Sequence, residues 1–164
     1  MSKLSLFFYV LSLIITAIIF SFVHFLTEPI IIGSSKNSIS NGNPGLFPLL
    51  FITPFFIVSI IGTFKIAYVA AKRTFKTVSF KIMMLFSFIF PSVIVLLTIK
   101  KAKEVRLIIF HHNDSVTDLA EIALLNTFSN HIFFNGWTLL ALLLTIVWIA
   151  YLCVFMKPQD ESLT

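Results

Sequence analysis

The sequence predicts an all-α membrane protein in which four transmembrane helices form an antiparallel bundle, with a short amphipathic helix at about 115–127 between the third and fourth spans. Its composition supports this fold class: 58% of the 164 residues are hydrophobic, 12% are charged, 20 are phenylalanine, and the mean hydropathy is +1.00. A typical soluble domain carries about 25% charged residues. Because so little polar surface cannot cover a water-soluble globule, we expect the lipid bilayer to be the solvent of this chain.

Four long apolar runs, at about 4–26, 46–71, 82–99 and 132–156, are the second observation. The run from Ile132 to Met156 contains no Asp, Glu, His, Lys or Arg. As a helix it would extend about 37 Å, which exceeds the hydrocarbon core of a bilayer, about 30 Å thick. We therefore interpret each run as a membrane span within a single integral membrane domain, residues 1–164.

The first span contains scattered Ser and Thr hydroxyls, which we expect to bond the carbonyl four residues earlier in the helix. The span is longer than the apolar core of a signal peptide, about 7–15 residues, and is interpreted as uncleaved. It ends before Pro29, because proline disfavours helical geometry in the preceding residue. Residues 30–45, rich in Gly, Ser, Asn and Pro, are predicted to form a polar loop.

The second span carries Pro48 in its first turn, where proline is tolerated, and Pro54 deeper, where a kink is expected. Lys65 is the one basic residue inside an apolar run. We interpret it as reaching the membrane interface beside Lys72 and Arg73. The alternative is a functional charge within the bilayer.

The third span is the shortest, with 18 residues from Ile82 to Ile99 and Pro91 at its centre. That length is close to the minimum for a crossing. We predict a full crossing. The alternative is a re-entrant hairpin that turns at Pro91, which would leave three crossings and place the termini on opposite faces.

The region from 100 to 131 is basic and then apolar before it becomes amphipathic. An amphipathic helix at about 115–127 is predicted because its apolar residues recur at helical spacing and Ser115 with Asp118 approximates a capping box. We expect this helix to lie along the membrane surface. The predicted apolar face comprises Val116, Leu119, Ala120, Ala123, Leu124 and Thr127.

An even number of crossings places both termini on one side of the membrane. With the termini in the cytoplasm, seven Lys and Arg residues fall inside and five outside, which agrees with the positive-inside rule. We therefore predict a multi-pass plasma membrane protein with cytoplasmic termini.

One polar constellation is a candidate metal site, because imidazoles and carboxylates can together ligate zinc or manganese. Its spacing matches no standard zinc signature. The alternative is a solvated helix face with acids near its N-terminal end. The candidate ligands are His111, His112, Asp114, Asp118, Glu121 and His131.

Motifs for nucleotide binding or nucleophilic catalysis are not found, and no catalytic residue, cofactor or nucleic-acid partner is predicted. The single cysteine, Cys153, rules out an intrachain disulfide and is expected to be buried. The leading hypothesis is a non-catalytic membrane protein that acts by helix–helix contact with a larger membrane protein or with itself. The alternatives are a small transport or channel subunit, and a membrane enzyme that uses the outer-face histidines and acids.

Overall fold

The computed structural model describes residues 2–30, 43–113 and 116–156, and in those residues the secondary structure is helical, without strands. Four segments are helical, long and apolar enough to cross a membrane. The α-helices are α1 (Lys3–Phe25), α2 (Pro48–Thr74), α3 (Val78–His111), α4 (Asn130–Phe133) and α5 (Gly136–Met156). Short 3-10 helices lie at Pro44–Leu46 and Leu119–Glu121.

The helix boundaries follow from local chemistry. The Ser2 hydroxyl accepts a hydrogen bond from the backbone N–H of Ser5 (3.1 Å), and Thr77 accepts one from Phe80 (3.2 Å), so both hydroxyls cap helix starts. Helix α2 ends at Thr74 because the backbone turns extended at Phe75 and left-handed at Lys76, where φ is 66°.

Helices α2 and α5 pack against each other at the centre of the fold, while α1 packs mainly against α2 and α3 mainly against α5. Tyr9 and Thr63 hydroxyls lie 3.1 Å apart, and those of Thr16 and Ser59 lie 3.4 Å apart, so residue numbers rise along α1 as they fall along α2. Rings pair in the same opposed sense between α3 and α5, Phe80 with Tyr151 (5.0 Å) and Phe88 with Trp148 (5.2 Å).

Helix α3 is longer than predicted and continues through Pro91 to His111. The alternative of a re-entrant hairpin at Pro91 is therefore wrong. The reason is the segment from Lys100 to Arg106, whose Lys, Ala, Glu and Arg residues are strong helix formers and extend the apolar helix. We call residues Lys100–His111, about 18 Å of helix, the α3 extension.

The predicted amphipathic helix at about 115–127 is wrong over its described residues, 116–127, where only Leu119–Glu121 is helical. Polar side chains capture backbone groups that a helix would need. Asp118 accepts from the N–H of Ala120 (2.8 Å), and Asn126 accepts from that of Phe128 (2.9 Å). Ser115, the expected cap, lies outside the described residues.

This irregular segment packs against the α3 extension. Ile109, Ile122 and Phe128 form a buried apolar cluster, which we call the extension cluster. The Arg106 guanidinium donates from Nε to the carbonyl of Leu119 (3.0 Å). The α3 extension and the irregular segment therefore form one packed unit at this end of the helices.

The two ends of the molecule differ. The basic end contains the start of α1, the end of α2, the start of α3 and the end of α5. A buried cluster that includes Ala71, Phe80 and Val154 joins α2, α3 and α5 there. The loop end contains the end of α1, the α3 extension and residues 116–135. Cys153 is exposed on α5, so the expectation that it is buried is wrong.

Candidate functional site

Polar contacts at the loop end join parts of the chain that are far apart in sequence. The backbone N–H of His131 donates to the Thr27 hydroxyl (2.8 Å), which itself donates to the carbonyl of His24 (2.8 Å). Asn43 and Asn130 exchange two amide hydrogen bonds, of 2.6 and 3.0 Å. These bonds fix α4 against the end of α1 and the start of α2.

Two histidines meet in this network. The rings of His24 and His131 lie 6.0 Å apart and nearly perpendicular, at 89°. The Nδ1 atom of His24 is buried and has no hydrogen-bond partner among the described residues. His24 therefore lies beside His131, while Glu28, four residues after His24, is exposed.

His131 also lines a groove of about 590 Å³ between α3 and the start of α5. Lys101 and Glu104 contribute an ammonium and a carboxylate from the α3 extension, and Ile94 and Trp137 contribute apolar walls. The groove therefore offers donors and acceptors at one side and apolar surface at the other. Such an arrangement can orient a ligand that has one polar and one apolar end.

Asn135 also lines this groove. Its amide nitrogen donates to the carbonyls of His131 (3.0 Å) and Ile132 (2.9 Å), and its amide oxygen accepts from the N–H groups of Trp137 and Thr138. Asn135 therefore serves as the N-cap of α5.

The described candidate metal ligands lie at separate positions in the structure. His111 is exposed at the end of α3, and the Nδ1 atom of His112 lies 2.8 Å from the carbonyl oxygen of Ile108. Asp118 caps the 3-10 helix. Glu121 accepts from the Thr117 hydroxyl (3.2 Å).

Across residues 2–30, 43–113 and 116–156, no group of three His, Cys, Asp or Glu side chains is placed to hold a metal. His131 lies with His24 in the loop-end network, while Asp114 lies outside the described residues. The metal site stays a prediction.

Sequence reasoning missed Lys101 and Glu104 as groove residues. The signal for them was their three-residue spacing on one side of a helix, but the helix itself was not predicted to extend that far. No local sequence pattern predicts the contact between His24 and His131. Lys65, the candidate intramembrane charge, is exposed and lines a separate groove between α1 and α2 with Arg73.

Comparison with known proteins gives no match: no family model, no curated protein and no solved structure is significantly similar to this chain.

Proposed function

We propose that the four long helices cross a lipid bilayer in alternating directions as an antiparallel bundle. Supporting this, large apolar side chains are exposed along their lengths, among them Ile18 (61%), Leu85 (60%) and Leu96 (68%). In water such surfaces would drive aggregation, whereas lipid chains solvate them. The opposed pairing of α1 with α2 and of α3 with α5 supports the alternation.

We place the basic end in the cytoplasm of a plasma membrane protein, together with both termini. Among the described residues this end carries six Lys and Arg and the loop end four, so the positive-inside rule favours this orientation. The six are Lys3, Lys65, Lys72, Arg73, Lys76 and Lys81, and the four are Lys100, Lys101, Lys103 and Arg106.

Reporter fusions test this topology. We expect a reporter inserted at Lys76 to give a cytoplasmic signal and one inserted at Asn113 to give an external signal, because α3 would carry the chain across the bilayer between them. A cytoplasmic signal from both sites would contradict the four-crossing topology.

The function that this arrangement favours is non-catalytic: helix–helix contact with a larger membrane protein or with a second copy of the chain. The observation that supports this most directly is that no Asp, Glu, Lys or Arg side chain is buried among the described residues, where the buried polar side chains are Ser, Thr and Asn. His24 is partly buried, with its Nδ1 atom shielded from solvent. Catalytic acids and bases typically require a partly desolvated setting that shifts their acidity. Lys101 and Glu104, the two groove residues that carry full charges, are exposed.

The edge helices α1 and α3 are where such a contact would form, because each packs mainly against one long helix, α1 against α2 and α3 against α5. A photo-crosslinking amino acid at Ile14 on α1 or Ile89 on α3, both about half exposed, is expected to give a discrete protein adduct in the native membrane from at least one edge. Ile149 (41% exposed) on the central helix α5 is the control position. Adducts with lipid alone at every position would contradict the proposed contact.

A further inference from the structure

The basic end contains a second groove, between α3 and α5, with a volume of about 620 Å³. We call it the basic groove. Its walls are apolar and largely aromatic, and two lysines, Lys76 and Lys81, stand at its mouth. The apolar lining residues are Phe75, Phe80, Met84, Leu85, Phe88, Trp148 and Phe155.

The two lysines are held at this mouth by the turn between α2 and α3. Lys76 has a φ of 66°, in the left-handed region that glycine and asparagine adopt more easily than lysine. Non-glycine residues in this region are found disproportionately at ligand sites. Lys81 follows one turn into α3, whose start is fixed by the Thr77 cap.

Among the described residues, the basic end carries Lys and Arg but no Asp or Glu. The described acids, Glu28, Glu104, Asp118 and Glu121, all belong to the loop end. Lys72, also at the basic end, lies over the ring of Tyr68 at 5.0 Å and does not line the basic groove. The mouth of the basic groove therefore presents two cations without a carboxylate among the described residues around it.

We propose that the basic groove binds an anionic phospholipid of the surrounding membrane. One acyl chain lies along Phe88 and Trp148, and the ammonium groups of Lys76 and Lys81 bind the phosphate at headgroup depth. The apolar walls match a hydrocarbon chain, and the paired cations favour an anionic headgroup over a zwitterionic one. This inference rests on the proposed membrane insertion.

Tryptophan fluorescence offers a direct test, because the chain has two tryptophans and they lie in different grooves. Trp148 lines the basic groove, whereas Trp137 lines the groove at the loop end, between α3 and the start of α5. In the Trp137→Phe background, Trp148 reports the lipid in the basic groove. The full chain is reconstituted in equimolar phosphatidylcholine and phosphatidylglycerol, with the acyl chains of one or the other brominated to quench fluorescence.

We expect brominated phosphatidylglycerol to quench Trp148 more strongly than brominated phosphatidylcholine. In Lys76→Asn/Lys81→Gln this preference is expected to fall about fivefold for each lysine removed. Asparagine suits the left-handed backbone at 76, so this variant keeps the turn. The matched control is Lys65→Gln/Arg73→Gln, which removes two charges from the same end but from a different groove, and it should keep the preference.

The possible results test the lipid site and membrane insertion separately. Equal quenching by the two lipids, or an equal loss of preference in the control variant, overturns the lipid site. Trp137, tested alone in Trp148→Phe, reports insertion because it is 63% exposed at the loop end. If lipid quenches Trp137 but not Trp148, protein covers the groove and the site is overturned while insertion stands. If lipid quenches neither, both proposals are overturned.

Discussion

Replacing Gly62 by leucine is expected to separate α1 from α2. A Cβ atom at position 62 would clash with Cδ2 of Tyr9 and lie 2.8 Å from its Cγ, both atoms of the rigid ring. Overpacking by single methylenes costs about 1–3 kcal/mol, and leucine adds several carbons, so we expect a loss of at least about 3 kcal/mol of unfolding free energy. Unfolding by SDS in mixed micelles measures it.

Gly136 provides the matched control, since a Cβ atom there would meet no atom within 4 Å. Gly62→Ala should destabilise the protein, whereas Gly136→Ala should leave its stability unchanged or slightly higher. In a double-mutant cycle, Tyr9→Ala should remove most of the penalty of Gly62→Ala. Equal losses from the two glycine substitutions would contradict the close contact of α1 with α2.

Ile109→Ala is expected to open the unit at the loop end. Ile109 is fully buried at the centre of the extension cluster, against Ile122 and Phe128. Truncating a buried isoleucine to alanine costs about 2–5 kcal/mol, because transfer free energy is lost and a cavity remains. Hydrogen exchange should therefore accelerate in residues 116–129, whereas the central parts of α2 and α5 should keep their protection.

The neighbouring residue supplies the control for this experiment. Ile108 is 41% exposed, and its replacement by alanine removes little packing. Exchange in residues 116–129 should stay near that of the unmodified protein in Ile108→Ala. Similar exchange in the two variants would show that the extension cluster does not hold this segment in place.

Apart from Tyr9, the polar residues at the contact of α1 with α2 are small. Thr16 donates to the carbonyl of Ser12 (2.8 Å), as expected for a hydroxyl in an apolar helix. The same hydroxyl also faces Ser59 across the interface. Gly62 and Thr63 continue this contact. In membranes, where lipid is as apolar as leucine, small and hydroxylated residues are what allow helices to approach closely.

The four long helices were largely predictable. The first span, expected at 4–26, is found as Lys3–Phe25, and the run expected at 132–156 contains α5. These predictions depend on unbroken apolar runs and on their local terminators, such as the sequence before Pro29. Both are properties of neighbouring residues, which is why they can be recognised in a single sequence.

The α3 extension and the segment at 116–127 were predicted poorly for a different reason. Apolar spacing at 116–127 resembled a helix, but Asp118 and Asn126 bond their own neighbouring backbone, and Ile122 is buried against α3. Whether the segment forms helical hydrogen bonds or these local side-chain bonds depends on the surface that packs against it. That surface is distant in sequence.

The sequence by itself determined that the protein consists of long apolar helices, how many there are and, except for the end of α3, roughly where each begins and ends, because helix length and hydrophobicity are properties of continuous segments. Only the tertiary structure decided that α2 and α5 lie at the centre, that His24 meets His131, and that Lys76 and Lys81 stand over an aromatic groove. Helices of nearly uniform apolar composition carry little periodic signal for their neighbours. Their order is decided by small and polar residues that find partners across the fold.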